Sequence, residues 1–509
     1  MAVTINDHFL ELKQAVLAKR PILGQILQKH GADKLWDYTR EYADVNLSPI
    51  LPERQLEMLA VVGETVASRF GAVVADSVTR QLKKYYFVST ADHVGPINHP
   101  FFVNSNLLIA AGYENCQDSI LQNIVVFACA KISVDNSSFP RGLFFHTVQN
   151  NQLQQHRLSF FSGNFKPSTV YTLPAYQKKD FDKMVKTLSD MAAKGEITAA
   201  IHDKINSLIT DLYDREELYK RNNYLEQIAI TNFDLWHKLF NVGQVKLPNL
   251  IYLELEDIVV KLITKFHLNQ DTIINHIIFD HAYEHYISNY FENIFGSFSR
   301  QDSSGTYLFW ALPPGARHKL QLWKEGSKLV SQDRSYKIDL EPQAIREALE
   351  RKELIPGLLM SFITVSFYYG LKCLGGFNQV NYLTMMKNGY IKMNVDLENY
   401  RSIEVCARAQ TKEICDGLAA AFLGFNNNQT TLASGLDLCL YHDDKSWPTI
   451  LQLIRNITLD EALSPLMPEI YRISYQQNEW KENLLAVTSK GIIDLIGVDK
   501  KITPCAHIL

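Results

Sequence analysis

The sequence predicts an α+β protein, with mixed α/β packing as the variant: a central, partly antiparallel sheet held inside extensive helical layers. Three observations predict it. Short runs rich in β-branched and aromatic residues, bounded by turn residues, gather between about residues 84 and 175. Apolar residues at helical spacing occupy the chain on both sides of that section. No Pro/Ser/Gly-rich linker divides the 509 residues into separable modules.

Taken in order, residues 1–82 predict an N-terminal helical region. Leu10, Leu12, Val16 and Leu17 fit an amphipathic helix, and Leu56, Leu59, Ala60, Val62 and Val66 recur at helical spacing further on. The N-terminus lacks the basic stretch and unbroken apolar run of a secretory signal. Residues 83–175 predict a sheet-rich core in which KYYFVST, NIVVFACAKISV, GLFFHTV and HRLSFFSG are the strands. QNNQ at 149–152 predicts a hairpin turn. Alternation along the preceding strand puts Phe144 and His146 on one face and Phe145 and Thr147 on the other.

Residues 176–300 predict a second helical region, broken at Gly195 and ending in a helix over 269–295. Residues 301–509 predict a mixed, mostly helical region packed on the core. GTYLFWAL and HKLQLW are its strands, with GYIKMNV at 389–395 as another. Residues 354–371 carry no charged side chain and reach the lower length limit for a membrane span. Pro356-Gly357 and several hydroxyl-bearing residues favour a helix buried inside the protein instead.

Charge narrows the function. Lys plus Arg number 51 and Asp plus Glu 55, a formal net charge of -4, which offers no general attraction to nucleic acid or an anionic membrane. The seven cysteines are scattered without a CxxC pair, the pattern of reduced thiols in the cytoplasm. No phosphate-binding GxxxxGK[ST] loop, GxGxxG turn, GxSxG elbow or kinase signature is present.

The segment most suited to chemistry is 89–106, STADHVGPINHPFFVNSN. It follows an apolar strand and contains no Lys, Arg or Glu. Gly95, Pro96 and Pro100 give its loop a defined path. Asp92 beside His93 suits acid/base work, since a carboxylate can set the tautomer of an imidazole. Asn98, Asn104, Ser105 and Asn106 suit hydrogen bonding to a substrate. His93 and His99 are candidate ligands of a divalent metal, with Asp92 as a third or supporting group. The plainer alternative is that these side chains cap turns and hold the loop backbone.

A second polar turn, 135–142, ends in Arg141-Gly142, where a guanidinium can hold a carboxylate or phosphate. If its strands adjoin the first loop, His93 and Arg141 share a pocket. A third feature is His281-Ala-Tyr-Glu284-His285, which has the H-x-x-E-H order of an inverted zinc-peptidase helix. Helical periodicity turns both histidines toward the core, where hydrogen-bonded structural histidines are the simpler account. The expectation is therefore a cytoplasmic enzyme acting on a small polar or anionic metabolite, a hydrolase or transferase with Asp92, His93 and Arg141 as its catalytic residues. A non-catalytic ligand-binding or protein-interaction protein is the alternative.

Overall fold

The computed structural model describes residues 5–45, 51–135, 142–240, 245–426 and 429–508. The fold is α+β, with one parallel sheet and several antiparallel ones. At its centre lie five strands: β1 (Phe87–Ser89), β2 (Asn123–Ala128), β3 (Asn249–Glu254), β4 (Lys372–Gly376) and β5 (Ile414–Asp416). Their spatial order is β5-β4-β1-β2-β3, and every neighbouring pair is parallel. Taken from the β3 edge this is 3-2-1-4-5, the doubly wound order. Such a sheet reverses its direction of winding between β1 and β4, and in folds of this order ligands bind in the crevice at that switch point, beyond the carboxyl ends of the strands.

Both faces of the sheet are covered, and strand alternation assigns each residue to one of two cores. Phe87, Ile124, Val126, Leu250, Tyr252 and Leu374 belong to one, with Phe102, Val103 and Leu107 of the helix Pro100–Cys116 and Ile228 and Leu235 of Tyr224–Lys238. Val88, Val125, Phe127, Ile251, Leu253 and Cys373 belong to the other. Their partners are Val61, Val62 and Val66 of Pro52–Phe70, Val78 and Leu82 of Ala72–Lys84, and Ile258 and Leu262 of Leu255–Phe266.

The predicted strands of 84–175 do not share one sheet. β1 and β2 are buried along their whole length, as strands covered on both faces must be, and they pair in parallel. The strands Leu143–Gln149 and Gln152–Leu158 form a separate antiparallel hairpin. It closes as QNNQ predicts, through Asn150 and Asn151 at φ 49° and 59°. The predicted alternation also holds. The Phe144 and His146 rings meet edge to face, while Phe145 stacks on His156, whose Nε2 lies 2.8 Å from Thr147 Oγ1.

A second five-stranded sheet, antiparallel, runs in the order Lys337–Asp339, Lys328–Ser331, Leu320–Glu325, Phe309–Ala311, Leu354–Pro356. It contains the strands predicted in GTYLFWAL and HKLQLW. Residues 354–371 lie almost entirely inside the protein, as the last of those strands followed by the helical turns Leu358–Phe362 and Ile363–Tyr368. Among the described residues, no helix is long and apolar enough to cross a membrane.

Further predicted elements need correction. Residues 249–254, inside the region predicted as helical, form the strand β3 of the central sheet. GYIKMNV is helical, inside Gln379–Asp396, where Tyr390 and Met393 face the core. The helix expected over 269–295 is broken. Ile273–Phe279 ends at Asp280, which is extended (ψ 123°), and a new turn starts at His281–Tyr283 before Glu284–Phe291. The break rotates His281 and His285 away from the arc of Ile274 and Ile278, and both are exposed. His281 Nδ1 pairs with Glu284 Oε1 at 2.6 Å.

Candidate functional site

The carboxyl ends of the five strands carry a concentration of polar side chains around the crevice between β1 and β4. The chain leaves β1 through Thr90, Ala91 and Asp92. The Cys129 N–H donates to Asp92 O (2.8 Å) and the Val94 N–H to Cys129 O (2.9 Å), so β1 and β2 stay zipped beyond their formal ends. This holds Asp92 at the sheet end, fully buried.

Its carboxylate receives Ser105 Oγ at 3.1 Å and Asn106 Nδ2 at 2.8 Å from the first turns of Pro100–Cys116. It also receives the hydroxyl of Tyr252 from β3. Burial raises the Asp92 carboxyl to about 6, against the lowering effect of the three hydrogen bonds. Three of the sequence-predicted residues, Asp92, Ser105 and Asn106, thus form one cluster. The spacing that unites them is local: a βα loop returns its helix over the strand it has just left.

The second acid of the site comes from 324 positions further on. Asp416 ends β5 and is half-buried, and its Oδ1 is shielded from solvent without a hydrogen-bond partner. Burial, then repulsion from Asp92, raises its carboxyl to about 7. Gly376 at the end of β4 makes the approach possible, because a Cβ there would lie 3.0 Å from Asp416 Oδ2. Gly375-Gly376 is thus the end of a strand whose missing side chain admits a carboxylate. Thr90 and Gln379 bridge β1 and β4 beneath the crevice, the Gln379 amide donating to Thr90 Oγ1 and that hydroxyl to Leu374 O (3.0 Å). Asn378 Oδ1, beside them, is buried and accepts no hydrogen bond.

The other predicted residues lie around this cluster in different roles. Asn98 Nδ2 donates to Phe144 O (3.0 Å) and its Oδ1 accepts from the Leu436 N–H (2.9 Å). Asn104 Nδ2 donates to Pro100 O (2.7 Å), and its Oδ1 accepts from the Ala420 and Ala421 N–H groups, each at 2.7 Å. Their polar atoms are engaged by main chain. His93 and His99 both pack on Phe102, with ring centroids at 5.7 and 5.4 Å from it. His99 caps the helix Pro100–Cys116, its Nδ1 accepting from the Phe101 N–H (3.3 Å). Burial, then the neighbouring His93, lowers its affinity for a proton to about 4, so His99 is neutral at physiological pH.

Among the described residues no three His, Cys, Asp or Glu side chains converge as a metal site would require, at His93 and His99 or at His281, Glu284 and His285. Arg141 lies outside the described residues, and with it the expected His93–Arg141 pocket.

Sequence reasoning missed Tyr252 and Asp416. Tyr252 stands in a strand inside the region read as helical, and its polar tip carries no signal. Asp416 stands in a three-residue strand within a stretch that reads as helical. The only available mark was Cys-Asp-Gly at 415–417, where Gly417 takes φ 90° at the strand's exit. Compared with known proteins, the chain matches no protein-family model, and no curated protein sequence matches it.

Proposed function

We propose that this chain is a cytoplasmic enzyme that binds a small polar metabolite in the crevice between β1 and β4. It would use the Asp92–Asp416 pair to move a proton during hydrolysis or group transfer. The observation that carries this reading is the pair itself: two carboxyls at one sheet end, held at about 6 and about 7. Carboxyls of that kind exchange protons near neutral pH, which ordinary aspartates do not. The roles differ. Both oxygens of Asp92 accept hydrogen bonds, so it positions, and its charge keeps a proton on its neighbour. Asp416, with Oδ1 unengaged, is the group that meets the ligand. His93, half-buried beside Asp92, adds an imidazole to the two carboxyls.

The test follows the fate of a polar-metabolite mixture incubated with the wild type and with Asp416→Asn, by mass spectrometry between about pH 5.5 and 8.5. The wild type is expected to consume a substrate. The Asn variant, folded to the same extent, should be slower by about 10²–10⁴-fold, the usual worth of a positioned acid or base. Ligand binding by both proteins with turnover by neither assigns the chain to the non-catalytic class and overturns the reading.

A further inference from the structure

A second set of charged groups stands at the same end of the sheet, beyond β2 and β3. The chain leaves β2 through Cys129, Ala130 and Lys131, and Glu256 begins the helix that follows β3. Glu256 is fully buried and accepts the Ala130 N–H (2.8 Å) and the Lys131 N–H (3.3 Å), so its carboxylate pins this turn to the neighbouring strand. The side chain of Lys131 is 8% exposed and its Nζ lies 3.5 Å from Glu256 Oε1, yet that Nζ makes no hydrogen bond. Lys319 reaches in from the antiparallel sheet. Its Nζ donates to Lys131 O (2.9 Å) and sits 4.7 Å from the centre of the Trp310 ring.

The Lys319 ammonium thus adds a second positive charge beside the Lys131–Glu256 pair, and Lys131 is buried with its donors unspent. A buried ammonium without hydrogen bonds is costly. If Lys131 served only to pair with Glu256, a shorter and properly directed contact was available to so flexible a side chain. The surplus positive charge and the unspent donors both call for an anion.

We infer that Lys131 and Lys319 form an oxyanion subsite at the carboxyl end of β2, one strand away from the β1–β4 crevice, which receives the phosphoryl group of the metabolite. Two compact cations arriving from different elements suit the divergent oxygens of a tetrahedral dianion better than a planar carboxylate, for which a guanidinium fork is the closer match. Burial, then the charge of Lys131, lowers the proton affinity of Lys319, and a bound dianion would restore it. The subsite names the substrate class for the function proposed above and rests on that reading only for the substrate's other end.

The experiment measures binding without turnover. Inorganic phosphate, pyrophosphate and succinate are titrated into the full chain by calorimetry, with thermal unfolding of each protein alone as the control for folding. The proteins are wild type, Lys131→Met, Lys131→Arg and Lys319→Met. Phosphate or pyrophosphate should bind the wild type saturably and succinate weakly. Either Met variant should lose at least about tenfold in affinity, and Lys131→Arg should recover part of it. Absence of phosphate and pyrophosphate binding to the wild type overturns the subsite. So does undiminished binding by both Met variants, or succinate bound in preference to phosphate. If Lys131→Met loses the anion while Asp416→Asn retains full turnover, the subsite stands and the proton-transfer reading fails. If both Met variants keep the anion while Asp416→Asn loses turnover, the subsite fails and the proton-transfer reading stands.

Discussion

Asp92 and Asp416 tie the pH response of this protein to its stability. Each carboxyl is raised above the ordinary aspartate range, to about 6 and about 7. Between about pH 4 and pH 7 the folded chain therefore keeps protons that the unfolded chain releases. The stabilisation from these groups is full below the unfolded value and is lost as pH rises through the folded ones. Asp416→Asn removes one such group, so the stability of the variant relative to wild type should grow by on the order of 2 kcal/mol between about pH 5 and pH 8. Urea unfolding at the two pH values measures it, and equal differences at both would show that Asp416 titrates normally. Tyr252→Phe acts on the partner. Loss of a hydroxyl that donates to the Asp92 carboxylate removes a hydrogen bond to the charged form, which raises the Asp92 carboxyl further and costs about 1–3 kcal/mol. The acid-side limb of any pH–activity profile should move upward in that variant.

At the scale of elements, the loop 89–106 is where sequence and structure meet most closely and also where residue type misleads. Its defined path is legible, because Gly95, Pro96 and Pro100 restrict it, and it leads from β1 into the helix Pro100–Cys116. What each Asn does is not legible. An Asn that faces a ligand and an Asn that holds a neighbouring main chain need the same short amide. Only the partners distinguish them, and those of Asn98 are Phe144 and Leu436. Asn98→Ala leaves two buried main-chain groups without that partner and should destabilise the protein by about 2–4 kcal/mol, measurable by urea unfolding. The parallel order was hidden for a related reason. β1 pairs with β4 between Val88 and Cys373, so no local pattern reports the contact. The H-x-x-E-H order misleads in the other direction. Its periodicity is helical, but Asp280 interrupts the helix, and its histidines reach solvent. The His281→Ala/His285→Ala double variant should keep wild-type stability within about 0.5 kcal/mol, as ordinary surface substitutions do. Addition of zinc should shift the unfolding of neither protein.

At the scale of the molecule, the short turn 95–98 joins parts of the chain that are far apart in sequence. Asn232 of the helix Tyr224–Lys238 clasps it from one side, accepting the Ile97 N–H (2.7 Å) and donating to Gly95 O (2.9 Å). The hairpin meets it through Phe144 O. The helix Gly435–Tyr441 meets it through the Gly435 N–H, which donates to Asn98 O (3.0 Å). The crevice residues Asp92 and His93 immediately precede this turn, so the geometry of the site depends on all three attachments. Gly435 is the tightest of them. A Cβ there would stand 2.4 Å from Ile97 O and 3.2 Å from Asn98 Cα, and both are backbone atoms that cannot rotate aside. Gly435→Ala should therefore force the helix and the turn apart, with a loss of roughly 2–4 kcal/mol. Amides of residues 95–106 should also exchange hydrogen faster, because the strain falls on the loop that carries the site. Gly24→Ala is the control. It lies within the helix Pro21–His30, where the new Cβ meets only Leu17 Cβ at 3.8 Å, so that variant should be unchanged or more stable by about 0.5–1 kcal/mol. Thermal unfolding of the two variants, with hydrogen exchange read over 95–106, checks the argument. A Gly435→Ala protein as stable as Gly24→Ala, with the loop equally protected, would show that the turn does not depend on this contact.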